Sequence, residues 1–287
     1  MRAQFTTVNG VRTRYHTAGS GYPLVLVHGV GISSESWLRN IDELGKDFWV
    51  IAPDCLGQGF TESGDYRDGP PQPPTVKHLV ALLDQLGVDK FAIAGSSFGA
   101  MISILTYFQL PKRVEKLILV SSGSSTLPET ELEKTLKESY ANGAKAYHNP
   151  TYDVCLKRLQ NVFYNPDDVP REVILMQLTT YRLPGVLDAY ETRMKGLMDF
   201  DAVRPYRTAE RLQEIKIPTL LMWGLNDPRV IFARAEEAAR KIERSTLVGF
   251  DKCKHFPHME HPERFNRVVR KFLKGESLAD EVRRTAE

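Results

Sequence analysis

A serine hydroxyl is a poor nucleophile at neutral pH and needs a base beside it, with a third group to orient that base. The 287-residue chain offers such a set. Ser97 lies in Gly95-Ser96-Ser97-Phe98-Gly99, a G-x-S-x-G between the apolar run Phe91-Ala92-Ile93-Ala94 and the helix-capable stretch 100–105. A strand, a tight turn and a helix in that order lift a serine side chain above the end of a sheet, and small residues at 95 and 99 let strand and helix pack closely. Asp227, in Trp223-Gly224-Leu225-Asn226-Asp227-Pro228, sits just past a second apolar run. It is a candidate to hold an imidazole tautomer, although an Asp before Pro is also a common turn former. His255, in Lys254-His255-Phe256-Pro257-His258, follows a further strand-like run and is the candidate base. His258 and His261 are its local rivals, and both lie nearer the helix that follows. The chemistry such a set performs is nucleophilic acyl transfer.

Acyl transfer also needs donors for a developing oxyanion. His28-Gly29-Val30-Gly31 follows the run Leu24-Val25-Leu26-Val27, and its glycines let backbone N–H groups turn toward a reacting centre. The expected donors are the N–H groups of Val30 and of Phe98, the residue after the serine. The same residues could form an ordinary strand-to-helix turn. His28 reads as a structural hydrogen-bonder rather than a second base. Asp54-Cys55-Leu56-Gly57-Gln58-Gly59 follows another strand end, and there Asp54 is expected to tie down a glycine-rich loop. No His/Cys/Asp cluster shows metal-ligand spacing, so no metal is expected. A lone G-x-G without the remaining fingerprint does not indicate a dinucleotide, and no cofactor is expected.

The elements that must position these residues alternate between strand and helix. Phe5-Thr6-Thr7-Val8 and Val11-Arg12-Thr13-Arg14-Tyr15 flank an Asn9-Gly10 turn and predict a hairpin. The short continuous apolar run at 24–27 predicts a strand buried on both faces, and 48–52, 91–94 and 116–120 predict further strands. Helices are expected over 37–44, with Ser33 or Ser34 as its N-cap, over 76–86, ending at Gly87, and after Ser97. Pro70-Pro71-Gln72-Pro73-Pro74 reads as a stiff loop before the second of them. From 128 to 208 the alternation stops, and amphipathic helical patterns at 132–140, 152–163, 169–180 and 186–197 take over. Strands at 217–223 and 245–248 and helices at 232–242 and 263–273 then resume the alternation. The expected architecture is α/β: a mostly parallel central sheet built from residues 1–127 and 209–287, with a helical cap of residues 128–208 inserted. The tail after Lys274 is charged and expected to fray.

Composition narrows the class. Hydrophobic residues are 42% and charged residues 26%, ordinary for a globular protein, and the net charge of +2 leaves no footprint for nucleic acid. No apolar stretch is long enough for a membrane span, and the N-terminus lacks the apolar core of a signal peptide. The three cysteines, Cys55, Cys155 and Cys253, are odd in number and far apart, which suits free thiols in a reducing cytoplasm. The expected partner is a small-molecule substrate, and the oligomeric state is open, a homodimer included.

Taken together, His28-Gly29, Asp54-x-x-Gly57-x-Gly59, Gly95-x-Ser97-x-Gly99, Trp223-Gly224-x-x-Asp227 and His255-x-x-x-x-Glu260-x-Pro262-x-x-Phe265 resemble the α/β-hydrolase superfamily along nearly the whole chain. The order Ser97, Asp227, His255 is that superfamily's order for nucleophile, acid and base. A serine at the turn argues against haloalkane dehalogenases and epoxide hydrolases, which place an Asp there. A finer resemblance is to the meta-cleavage product hydrolases, which hydrolyse a C–C bond in ring-fission dienoates. It rests on Asn149-Pro150-Thr151-Tyr152 through Leu156, Leu159, Phe163-Tyr164 and Asp168-Val169-Pro170, on Cys253-x-His255, and on His261-Pro262-Glu263-Arg264-Phe265-Asn266. This chain departs from that family's pattern with Ser96 for Asn, Phe256 for Trp, Gly29-Val30-Gly31-Ile32 for a Gly-Gly-Gly-Pro-like loop, and Gln177 for the cap arginine that grips the substrate carboxylate. The substrate pocket is expected to involve Gly29, Gly31, Ser96, Leu159, Phe163, Gln177 and Phe256, with Arg182 replacing the missing arginine. The resemblance implies C–C hydrolysis of a 2-hydroxy-6-oxo-dienoate. A carboxylesterase or lactonase on a small apolar ester, and a slow-turnover ligand receptor on the same fold, remain as alternatives.

Overall fold

The Asn9-Gly10 pair forms the hairpin that its residue types predict. Strands β1 (Arg2–Val8) and β2 (Val11–Ala18) pair antiparallel with Val8 opposite Val11. Asn9 and Gly10 take φ of 48° and 81°, the doubly positive geometry that matches the twist of the flanking strands. In the computed structural model, which describes residues 1–282, six more strands complete one eight-stranded sheet. They are β3 (Pro23–Val27), β4 (Trp49–Pro53), β5 (Phe91–Ser96), β6 (Val114–Val120), β7 (Thr219–Gly224) and β8 (Ser245–Phe250). The order is β1-β2-β4-β3-β5-β6-β7-β8, antiparallel at β1–β2 and β2–β4 and parallel elsewhere. The end of the charged tail, 283–287, lies outside the described residues.

The central strands are largely apolar because both of their faces are covered. Alternate residues of one strand enter two separate cores: Val25 and Val27 join one, Leu24 and Leu26 the other. Helices α1 (Leu38–Leu44), α2 (Gln72–Gln85) and α3 (Phe98–Gln109) follow β3, β4 and β5. Ile41 of α1 enters the core of Leu24, whereas Leu79 of α2 and Ile102 of α3 enter that of Val25.

Two local expectations are corrected. Residues Ser34–Trp37 form a 3₁₀ turn ahead of α1, and neither serine caps it through its side chain. The Ser34 hydroxyl instead donates to Asp54 Oδ1 at 2.7 Å. The proline-rich stretch is not a loop throughout, because α2 begins at Gln72 and carries Pro73 and Pro74 in its first turn. Proline is tolerated there since those N–H groups have no helical acceptor to lose.

Between β6 and β7 the described residues hold helices and no strand: α4 (Gly123–Thr126), α5 (Glu129–His148), α6 (Tyr152–Gln160), α7 (Arg171–Thr180), α8 (Val186–Met198) and α9 (Phe200–Val203). Helix α10 (Phe232–Lys241) then separates β7 from β8, and α11 (Pro257–Glu260) and α12 (Pro262–Lys274) follow β8. Phe265, Val268 and Val269 of α12 pack beside Trp37 and Ile41 under the sheet. The helical stretch is tied to the loops at the strand ends. Tyr181 donates its hydroxyl to the Gly31 carbonyl at 2.5 Å, and the His255 N–H donates to the Val162 carbonyl at 3.1 Å. Arg193 of α8 is buried and donates to the carbonyls of Leu56 and Gly57.

Candidate active site

Parallel strands place their carboxyl ends along one edge, and every candidate segment leaves from there. Residues 28–31 follow β3, Ser97 follows β5, Asp227 follows β7 and His255 follows β8. Ser97 sits at the junction of β5 and α3 with φ 54° and ψ −118°, a left-handed backbone that costs a non-glycine residue about 1–3 kcal/mol. The neighbours hold it there. A Cβ added at Gly95 would lie 2.1 Å from the Gly99 carbonyl oxygen, and one at Gly99 would lie 2.2 Å from that of Val27. The Ser97 N–H donates to the Val120 carbonyl at 2.9 Å, and the Ser122 hydroxyl donates to the Ser97 carbonyl at 2.7 Å.

His255 and Asp227 are both buried, with His255 Nδ1 2.8 Å from Asp227 Oδ2. An ionised carboxylate only accepts, so Nδ1 carries the proton and Nε2 presents its lone pair. That Nε2 is buried and has no hydrogen-bond partner. The second Asp227 oxygen accepts from the N–H groups of Arg229 and Val230 at 2.9 and 3.4 Å, which fixes the carboxylate. His258 is a different kind of group. It is fully buried against Trp37, with ring centroids 4.2 Å apart, and neither of its nitrogens has a partner. Burial, then the neighbouring His255, push its pKa down to about 3, so it is a neutral packing residue at physiological pH.

The loop 28–31 comes close to the serine: a Cβ at Gly29 would stand 3.2 Å from Ser97 Cβ. Among the described residues neither the Val30 nor the Phe98 N–H has an acceptor within the protein. The Gly31 N–H is already used, donating to Gln58 Oε1 at 2.8 Å. His28 bridges the Gly29 carbonyl and the Cys55 N–H, each at 2.8 Å, as a structural hydrogen-bonder does. Asp54 accepts from Arg14 Nε at 2.7 Å and from the Phe60 N–H at 2.8 Å, holding the glycine-rich loop in place. Among the described residues no group of three or more His, Cys, Asp or Glu could hold a metal ion.

Gly29, Val30, Ser97, Leu159, His255 and Phe256 share the walls of one small cavity of about 20 Å³. Phe163 is buried behind it, its ring 5.8 Å from that of Phe256. Ser96 and Gln177 are buried off the cavity wall, and the Ser96 hydroxyl and both Gln177 amide atoms lack partners. Arg182 is a correction. Its side chain is exposed and donates to the Pro150 carbonyl at 2.9 Å, because the end of α7 turns it outward. The cations that do reach the cavity are Arg158 of α6 and Arg229 after Asp227, with Asn142 of α5 and Val162 beside them. The positions of Arg158 next to Leu159, and of Arg229 two residues past Asp227, were the only signals for them in the sequence.

The alpha/beta hydrolase family matches residues 24–268. This chain belongs to that family. It is 32% identical over 275 residues to the 2-hydroxy-6-oxononadienedioate/2-hydroxy-6-oxononatrienedioate hydrolase of Burkholderia vietnamiensis, covering 92% of this chain and 91% of the relative. It is 28% identical over 275 residues to the 2-hydroxymuconate semialdehyde hydrolase of a Pseudomonas strain, with coverages of 92% and 91%. A variant of the meta-cleavage product hydrolase CumD superposes with a TM-score of 0.80 at 26% identity, over 95% of this chain and 98% of that one. CumD is an enzyme of Pseudomonas fluorescens. The family member described here is thus a hydrolase, and its resemblance to the meta-cleavage product hydrolases is borne out by these relatives. Among the described residues no helix is long and apolar enough to cross a membrane.

Proposed function

We propose that this protein is a serine-dependent C–C hydrolase acting on a 2-hydroxy-6-oxo-dienoate. Ser97 is the nucleophile, His255 the general base and acid, and Asp227 the group that orients His255. The observation that carries this reading is His255 itself: Nδ1 is held by Asp227, Nε2 is unpartnered, and the residue lines one cavity together with Ser97. The Ser97 hydroxyl adds to the 6-oxo carbon while its proton passes to His255 Nε2. The oxyanion is received by the N–H groups of Val30 and Phe98. With the substrate in its 2,6-dioxo tautomer, the 2-hydroxyl proton having moved to C5, breaking the C5–C6 bond sends its electron pair through C4 and C3 onto the 2-oxo oxygen as a dienolate. His255 returns the proton there and then activates a water to release the acyl group from Ser97.

The substrates after which the relatives are named favour a dienoate over a simple ester. Residues 128–208 serve as a cap in this reading, supplying Asn142, Arg158, Leu159 and Val162 to the cavity. The test is decay of the chromophore of 2-hydroxy-6-oxonona-2,4-dienedioate. Ser97→Ala should lower kcat by about 10⁴–10⁶-fold, and Asp227→Asn somewhat less. If Ser97→Ala retains more than about a tenth of the wild-type rate, the nucleophile is misassigned.

A further inference from the structure

Two guanidinium groups meet at the Ser97 cavity with no carboxylate to pair them. Arg158 arrives from α6 and Arg229 from the turn after β7, and both line the cavity beside His255. Among the described residues neither takes part in an ion pair, whereas Arg14 is paired with Glu35 at 2.6 Å and with Asp54 at 2.7 Å. The buried Nε of Arg158 has no hydrogen-bond partner at all. The carboxylates that act on Arg229 from a distance are Asp227 and Glu138, and Asp227 is already engaged by His255 and two backbone N–H groups. Burial, then the charge of Arg158, lower the Arg229 pKa to about 10, so both groups stay positive at neutral pH and repel each other.

Unpaired, partly desolvated like charges cost folding free energy, and an arriving anion would remove that cost. The loop that carries Val30 makes room for one of them. A Cβ at Gly31 would lie 2.5 Å from Arg158 Nη2, so only glycine there leaves the guanidinium in place. Arg158 and Asn142 also line a wide cleft of about 800 Å³ between α5 and α6, whose other charged residues include Lys145, Lys157 and Asp153. These two side chains therefore stand between that basic cleft and the cavity. The cavity's roughly 20 Å³ accommodates a single water, so it must widen before a substrate reaches Ser97.

We infer that Arg158 and Arg229 determine specificity by each holding one anionic group of a dianionic substrate, which arrives through the cleft between α5 and α6. The inference rests on Ser97 being the nucleophile proposed above, but not on which bond is cleaved. It places the carboxylate contacts on residues other than the buried Gln177 and the outward-facing Arg182.

The experiment compares wild type with Arg158→Gln, Arg229→Gln and their lysine counterparts on two substrate pairs. The first pair is the dienedioate and the monoanionic 2-hydroxy-6-oxohepta-2,4-dienoate. The second is p-nitrophenyl hydrogen glutarate and neutral p-nitrophenyl butyrate. Each Gln variant should lower kcat/KM on the dienedioate by about 10–100-fold, the worth of one charge-assisted hydrogen-bonded contact, mainly through KM. On the monoanion only one of the two variants should do so. The glutarate-to-butyrate preference should fall in at least one variant, and lysine should restore part of each loss because it keeps the charge but not the bidentate fork. Equal losses for both variants on the monoanion would mean that the guanidiniums share one carboxylate, and unchanged ratios in both would remove the clamp; either result overturns the inference. If wild type cleaves the esters with an anionic preference that the variants lose, yet leaves dienoates untouched, the C–C reading fails while the clamp stands. If neither ester turns over, calorimetric binding of glutarate against its dimethyl ester reads the same preference, and equal binding overturns the clamp.

Discussion

Protonating His258 should be costly to this fold, and the cost can be isolated. The ring is fully buried, 4.2 Å from Trp37 and 5.9 Å from Phe265 between centroids, and both nitrogens lack partners. Its pKa of about 3, depressed by burial and then by His255, contrasts with about 6.5 in an unfolded chain. Between those values the unfolded state binds a proton that the folded state refuses. Stability from this group is therefore complete above pH 6.5 and is lost as pH falls toward 3. From pH 7 to pH 4.5 the loss is about two pH units at 1.36 kcal/mol each, or about 2.5 kcal/mol, a large share of a typical folding free energy. His258→Leu removes the titrating group. Urea unfolding of both proteins at pH 7 and pH 4.5 should show the variant less stable at pH 7, because it loses the aromatic contacts. It should nevertheless lose about 2.5 kcal/mol less than wild type on acidification. His16, His28 and His78 are also held below their ordinary range, burial being the first cause in each, and they remain in both proteins, so the subtraction leaves His258 alone. Identical pH dependence in the two proteins would refute the argument.

Gly99→Ala forces a Cβ to within 2.2 Å of the Val27 carbonyl oxygen, which is backbone and cannot rotate away, so thermal unfolding should show a loss of more than about 2 kcal/mol. The three cysteines are free and buried, and burial pushes the Cys55 thiol up to about 12 and raises Cys155 and Cys253 as well. A thiol-disulfide reagent at pH 8 should therefore titrate no thiol in the native protein and all three in guanidinium chloride; rapid labelling of the native protein would contradict the packing. Arg193→Met leaves the Leu56 and Gly57 carbonyls without their donor and should cost about 1–3 kcal/mol in urea unfolding, whereas an unshifted midpoint would mean that water replaces those bonds.

The sheet was legible because a strand buried on both faces has to be continuously apolar, and the runs at 24–27, 91–94 and 117–120 carry no competing helical period. The serine turn was legible because Gly95 and Gly99 each leave room for a backbone carbonyl, so residue type betrays the geometry. Ser33 and Ser34 misled for the opposite reason. Their hydroxyls could have capped a helix locally, but they bind Glu35 and Asp54 instead, and Asp54 lies 20 residues beyond Ser34. A local pattern cannot anticipate a partner brought in by the sheet. The start of the helix at Gln72 is masked in the sequence by prolines that its first turn tolerates.

The arginines show where sequence reasoning stops. The missing charge at 177 raised the question of a replacement elsewhere, but choosing among candidates required knowing which side chains face Ser97. Arg182 lies five residues past Gln177 and was the natural substitute by chain distance, yet it ends on the surface at Pro150. Arg158 lies farther away in sequence and on a different helix, where its neighbour Leu159 is buried and its own guanidinium reaches past Gly31. Arg229 is held by the turn that also presents Asp227. The site thus draws one cation from the helical insertion and one from the sheet edge. A dianionic substrate with one anionic group on each would tie the insertion to the core while the serine and histidine act, and so couple the chemistry to a closed, water-poor cavity.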